Sequence, residues 1–182
     1  MTEMIKTGSK LALICAVAAL CLGAVNMVTE PQIAKFRAAK LKAALEQVAP
    51  AGTIGDETAA DDVIVTSYYP VQDGTSMSGY ILNLKGTGYG GDLIILASFT
   101  PEGAVIGSVL MEHDETPGLG KEAENDWYME KYLGYSGTEI PTSKTQLEQA
   151  DLDAISGATI TYAGIGYALA AGSDFTVKLG GK

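Results

Sequence analysis

The stretch Asp153-Ala154-Ile155-Ser156-Gly157-Ala158-Thr159-Ile160-Thr161 sets three hydroxyls and a bare Gly-Ala turn directly before an apolar run that reads as a helix over residues 160–171. A helix opens with N–H groups that have no intrahelical partner, and such groups attract an anion. Ser156 is placed to cap that helix, Gly157 and Ala158 leave the backbone open to close approach, and Thr159 stands where an anion would lie. The pattern predicts a phosphate seat. Taken alone, the same residues also describe an ordinary capped helix start that binds nothing.

Two stretches upstream carry related chemistry. Gly88-Tyr89-Gly90-Gly91 falls between two strand-like runs and lacks both the Lys and the following helix of a phosphate-binding loop, so it reads as a strand connection. In His113-Asp114-Glu115-Thr116-Pro117-Gly118-Leu119-Gly120, Pro117 and two glycines fix a loop, Thr116 offers a hydroxyl and an N–H, and Leu119 offers an apolar cover. A plain Pro-Gly turn after a strand is the other reading.

In chain order these three stretches resemble one family. D-A-I-S-G-A-T is similar to the flavinylation motif D-x-x-[ST]-G-A-T of the FMN-binding subunits RnfG and NqrC, and residues 113–120 resemble that family's H-x-E-T-P-G-L-G. The resemblance implies FMN joined by a phosphoester bond to the hydroxyl of Thr159. It places Ser156, Gly157, Ala158 and Thr161 about the attachment point and Glu115, Thr116, Gly118, Leu119 and Tyr89 about the ring. It further implies an electron relay within an Rnf-type ion-translocating ferredoxin:NAD oxidoreductase complex, partnered by the other membrane subunits. Nothing in the sequence resembles a phosphoryl-transfer site, so a dedicated flavin transferase is expected to load the cofactor. An NqrC-type subunit of a sodium-pumping NADH:quinone reductase is the near alternative, although the compact length favours RnfG. A cofactor-free, membrane-tethered binding or scaffold module, with Ser156 merely a cap, is the rival from another class.

Composition narrows the partners. The 182 residues carry a formal charge of −10, and from residue 50 onward 19 acidic side chains face 6 Lys and Arg, so no basic stripe suited to nucleic acid exists. Both cysteines, Cys15 and Cys21, lie in the apolar N-terminal run, which leaves the remainder without a disulfide or thiolate metal cluster.

Residues 11–28 contain no charge and only Asn26 as a clearly polar residue; at a rise of 1.5 Å they span roughly 27 Å, close to a bilayer core. We take residues 11–29 as a membrane helix in contact with lipid, following a short segment 1–10. A cleavable signal peptide is the competing reading, given Lys6 and Lys10 before the run and small residues near its end. Ala12, Ala16, Ala19 and Gly23 fall along one side, a stripe that lets another membrane helix approach unless it is an accident of composition. The flanking charges leave orientation open. The family resemblance implies segment 1–10 in the cytoplasm and the main domain outside it.

Thr29 and Pro31 read as the start of a stalk helix reaching about Val48, with Ile33, Phe36, Leu41, Leu45 and Val48 on one stripe, and residues 53–62 read as a loop, closing a stalk-and-linker segment 30–62. In the remaining domain, 63–182, the β-branched and aromatic runs 63–71, 80–85, 93–99 and 104–111 predict an antiparallel sheet, its last two strands joined by Thr100-Pro101-Glu102-Gly103. Residues 121–133 read as a helix with Trp127, Tyr128 and Leu133 on its apolar side, and residues 174–179 as a short final strand. The fold class is α+β. His113, the one histidine, reads as a solvated residue at a strand end or as a neighbour of the ring, and Trp127 as core or as a stacking partner.

Overall fold

Alternating burial along residues 65–71, where Val65, Ser67, Tyr69 and Val71 are buried and the intervening residues are not, marks a strand with one face on a core. A computed structural model describes residues 2–147, 151–152, 155 and 157–181. It places that strand, β3 (Val65–Asp73), in an antiparallel sheet with β4 (Ser76–Thr87), β5 (Asp92–Phe99) and β6 (Val105–Glu112), each paired with the next. The sheet is the predicted one. The turn between β5 and β6 closes through Thr100 N–H to Ala104 O at 2.8 Å and Gly103 N–H to Thr100 O at 2.9 Å.

The sequence predicts a loop over 53–62, yet two short strands, β1 (Thr53–Ile54) and β2 (Thr58–Ala59), pair with β3. They cover the free backbone edge that β3 would otherwise present.

Helix α1 (Thr2–Val48) runs unbroken through Pro31, where the sequence suggests the start of a second helix. Proline inside a helix removes one donor, but here it does not end the helix. Two compact units divide the chain, residues 1–41 and residues 42–182. In the first, every described apolar side chain of the run 11–28 is exposed, and the helix is long and apolar enough to cross a membrane. Of the expected stalk stripe, Ile33 and Phe36 are exposed; within the second unit Ala44 and Val48 are buried, and Val48 packs against Gly107 of β6.

The core of the second unit lies between the sheet and the final helix, α3 (Thr159–Gly180). Leu82, Leu84, Leu93, Ile95 and Phe99 meet Tyr162, Ile165, Ala168 and Leu169. Each such large side chain contributes roughly 1.5–3 kcal/mol by leaving water. Helix α3 absorbs residues 174–179, the expected strand, because its buried face continues through Gly172, Ser173 and Thr176 at helical spacing. Local β preference in Phe-Thr-Val yields to that packing.

The predicted helix over 121–133 is instead three short pieces: a 3-10 turn Gly120–Glu124, helix α2 (Asp126–Met129) and a 3-10 turn Glu130–Tyr132. Asn125 breaks it, extended at φ −87° and ψ 142°, with its side-chain amide donating to Glu122 O at 3.1 Å. The buried side chains are Ala123, Tyr128, Met129 and Tyr132; Trp127 and Leu133 are each 38% exposed.

Candidate functional site

Ala158, which has no side-chain acceptor, is the N-cap of α3, and the first helical bond runs from Tyr162 N–H to Ala158 O at 2.9 Å. The N–H groups of Thr159, Ile160 and Thr161 therefore precede the helical ladder. Thr159 is exposed as the first helical residue. Ser156, the expected cap, lies outside the described residues, and among the described residues no side chain caps this end.

Tyr89, Glu115, Thr116, Leu119, Gly157, Ala158, Thr159 and Thr161 line one cavity of about 480 Å³, together with Gly120 and Ile160. Residues from a strand connection, a loop after β6 and a helix start converge there. Gly118 is in the same loop but does not line the cavity: its φ of 77° serves the turn, and a Cβ placed on it would meet nothing within 4 Å. Gly157, at φ 88°, sits where a Cβ would be 2.6 Å from Leu119 Cδ2, so Leu119 packs directly over the turn. Thr159 also faces a second cavity, of about 440 Å³, lined by Ile64, Thr87, Ile160 and Tyr167 among others.

Glu115 is 7% exposed and fully engaged. Its Oε1 accepts from Gly90 N–H at 3.0 Å, and its Oε2 accepts from the Thr161 hydroxyl at 2.7 Å. The backbone N–H of Glu115 donates to His113 Nδ1 at 3.1 Å, which leaves Nε2 of the neutral ring to donate to Glu124 Oε1 at 2.9 Å. His113 is therefore no solvated strand end; its side chain is 7% exposed and pins the loop. Trp127 joins neither the core nor the cavity, but packs edge-on to Tyr128 with Lys131 Nζ 5.2 Å above its ring. The sequence marks Gly88, Gly90 and Gly120 only as turn formers. The Gly spacing signals close backbone approach, but it does not name Glu115 as the group approached.

Three tyrosines fill the adjoining core. Tyr132 and Tyr162 stack at 5.0 Å, Tyr128 meets Tyr162 edge-on at 6.0 Å, and the Tyr132 hydroxyl donates to Tyr162 O at 2.8 Å. Burial pushes all three phenols well above their ordinary range; for Tyr128 the neighbouring Tyr162 and then Glu115 add to it. Among the described residues no cluster of three or more His, Cys, Asp or Glu is suited to a metal ion.

What the cavity offers is the N–H groups that precede the helical ladder and a hydroxyl at one end, apolar cover from Leu119, and an exposed aromatic, Tyr89. A phosphorylated, flat, amphipathic ligand matches this set. Residues 88–173 match the family described as FMN-binding domain, and residues 1–48 match the RnfG N-terminal region. The chain is 32% identical over 167 residues to the G subunit of the ion-translocating oxidoreductase complex of Cereibacter sphaeroides, covering 85% of this chain and 76% of that one. To the protein of the same description in Escherichia coli it is 30% identical over 171 residues, 86% of this chain and 82% of the other. With the G subunit of the proton-translocating ferredoxin:NAD(+) oxidoreductase complex of Clostridium ljungdahlii it shares 32% identity over 94 residues, about half of each.

Proposed function

The chain belongs to the family of G subunits of ion-translocating oxidoreductase complexes, and from that premise we propose that it carries FMN covalently, as a phosphoester on Thr159. The chain is an electron-transfer subunit of the Rnf type with an FMN-binding domain. The observation that supports attachment at Thr159 is its place as an exposed hydroxyl at the first residue of α3, on the wall of the cavity that also holds Tyr89, Thr116 and Leu119. The N–H groups of the first turn beside it, which precede the helical ladder, favour a phosphate there.

Bound FMN would supply one-electron exchange. The chain's own residues do the rest: Thr159 and the start of α3 hold the phosphate end, Leu119 and Tyr89 cover ring faces, and Thr116 offers polar atoms to the ring edge. A covalent link suits a site outside the cytoplasm, where a reversible one would empty as free cofactor fell below its dissociation constant. On this reading a flavin transferase loads Thr159, residues 11–29 anchor the chain in the membrane in a single pass, segment 1–10 is cytoplasmic and domain 63–182 lies on the extracytoplasmic side. Its partners are the other membrane subunits of the complex. The match of residues 1–48 to the RnfG N-terminal region favours this assembly over the sodium-pumping quinone reductase. Intact mass of chain produced with a flavin transferase tests the proposal: a gain of FMN less one water is expected, and a chain at its bare mass would refute it.

A further inference from the structure

The carboxylate of Glu115 is enclosed by glycines on both sides. A Cβ on Gly88 would collide with Oε1, and one on Gly120 would collide with Oε2 and come within 2.6 Å of Thr161 Oγ1. A Cβ on Gly90 would strike the carbonyl of Asp114, the residue before Glu115. Real side chains do not tolerate such overlaps. Two glycine-bearing loops are thus bare at the points where this one carboxylate passes, and not only where a ligand would approach. Through Gly90 N–H at 3.0 Å and the Thr161 hydroxyl at 2.7 Å, Glu115 ties the β4–β5 connection and its own loop to the first turn of α3. Both oxygens accept, and among the described residues no cation pairs with them. As a carboxylate, Glu115 places negative charge on the cavity wall with little exposure to solvent.

We infer that Glu115 is a positioning residue rather than a ligand: it braces the three segments that form the cavity, and its charge holds the potential of a flavin in that cavity low. The inference rests on the reading that the cavity receives the FMN ring. A ring that takes up an electron beside a buried carboxylate gains negative charge next to negative charge, so reduction is disfavoured. Glu115→Gln separates charge from shape, because the amide oxygen can still accept from Gly90 and the amide nitrogen can donate to Thr161 Oγ1.

The experiment is a mediated redox titration of full-length, FMN-loaded parent and Glu115→Gln, with hydrogen exchange at Gly90 N–H in unloaded parent, Glu115→Gln and Glu115→Ala. At a fixed applied potential Glu115→Gln should show about a tenfold higher ratio of reduced to oxidised flavin, a positive shift of about 59 mV for one electron, and the shift should persist at high salt. Gly90 should exchange at the parent rate in Glu115→Gln and at least about tenfold faster in Glu115→Ala. A titration that overlays the parent overturns the charge role, and unaltered Gly90 exchange in Glu115→Ala overturns the brace. A parent chain that takes up no FMN removes the functional proposal instead, and the exchange measurement still decides the brace.

Discussion

The Ser173 hydroxyl, on α3, donates to the carbonyl of Gly103 at 2.6 Å, and its oxygen accepts from Gly137 N–H at 2.8 Å. One buried side chain thus satisfies the β5–β6 turn and the 3-10 turn Gly137–Glu139 at once. Ser173→Ala leaves a buried carbonyl and a part-buried N–H without this partner, and should cost about 1–3 kcal/mol. Urea unfolding of residues 42–182 or of the detergent-solubilised chain would report this as a lower midpoint at unchanged slope.

Thr159→Ala should abolish covalent flavin while leaving the fold intact, since the side chain is exposed and begins the helix. In-gel fluorescence after denaturation should vanish, and far-ultraviolet circular dichroism should match the parent. Label persisting at Thr161 would place the attachment elsewhere, although Thr161 is 1% exposed and already bonded to Glu115.

Gly118→Ala tests the loop without touching the attachment. The site lies at φ 77°, where a Cβ has open space around it but the backbone disfavours any L side chain by roughly 1–2 kcal/mol. Covalent flavin should remain and the melting temperature should fall by a few degrees. The positive φ by itself is a reason for glycine at this position.

Alkaline pH should destabilise the domain. Burial, then a hydrogen bond with Glu57, raises Tyr69 to about 12, and Tyr128, Tyr132 and Tyr162 are raised chiefly by burial. Above the ordinary value near 10 the unfolded chain loses these protons and the folded chain keeps them, so stability is whole below pH 10 and falls as pH climbs toward 12. Each tyrosine adds a slope of about 1.4 kcal/mol per pH unit in that window. The Tyr128 hydroxyl is buried without a hydrogen-bonding partner among the described residues. Tyr128→Phe should therefore leave neutral-pH stability within about 1 kcal/mol of the parent and make the alkaline decline shallower, as denaturant titrations between pH 8 and pH 12 would show.

The sheet was legible because β-branched alternation and a Thr-Pro-Glu-Gly turn leave few alternatives, and most of the cavity because its residues lie in three compact motifs. Elsewhere long-range packing prevailed. Phe175-Thr176-Val177 has strand preference, yet Thr176 and Ser173 share the buried face of α3, which no local pattern reveals. Trp127 looks like an anchor by size, but Tyr128 and Tyr132 take the core positions, spaced four apart, and leave the indole to Lys131. The enclosure of Glu115 joins positions 25 and 46 residues distant, beyond the reach of any motif spacing.

Helix α3 meets the sheet at two points through bare backbone: a Cβ on Gly164 would collide with the carbonyl of Thr87, and one on Gly86 would lie 3.0 Å from Gly164 O; at a third, bare Gly172 makes room for a side chain, since a Cβ there would lie 2.9 Å from Phe99 Cζ. Beside Thr87 the height of the helix above the strands is thereby gauged by main chain, which every sequence shares, in addition to the side-chain core farther along. That gauge sits five residues after Thr159 in the same helix, so the main chain of the β4–β5 side helps to fix where the hydroxyl stands.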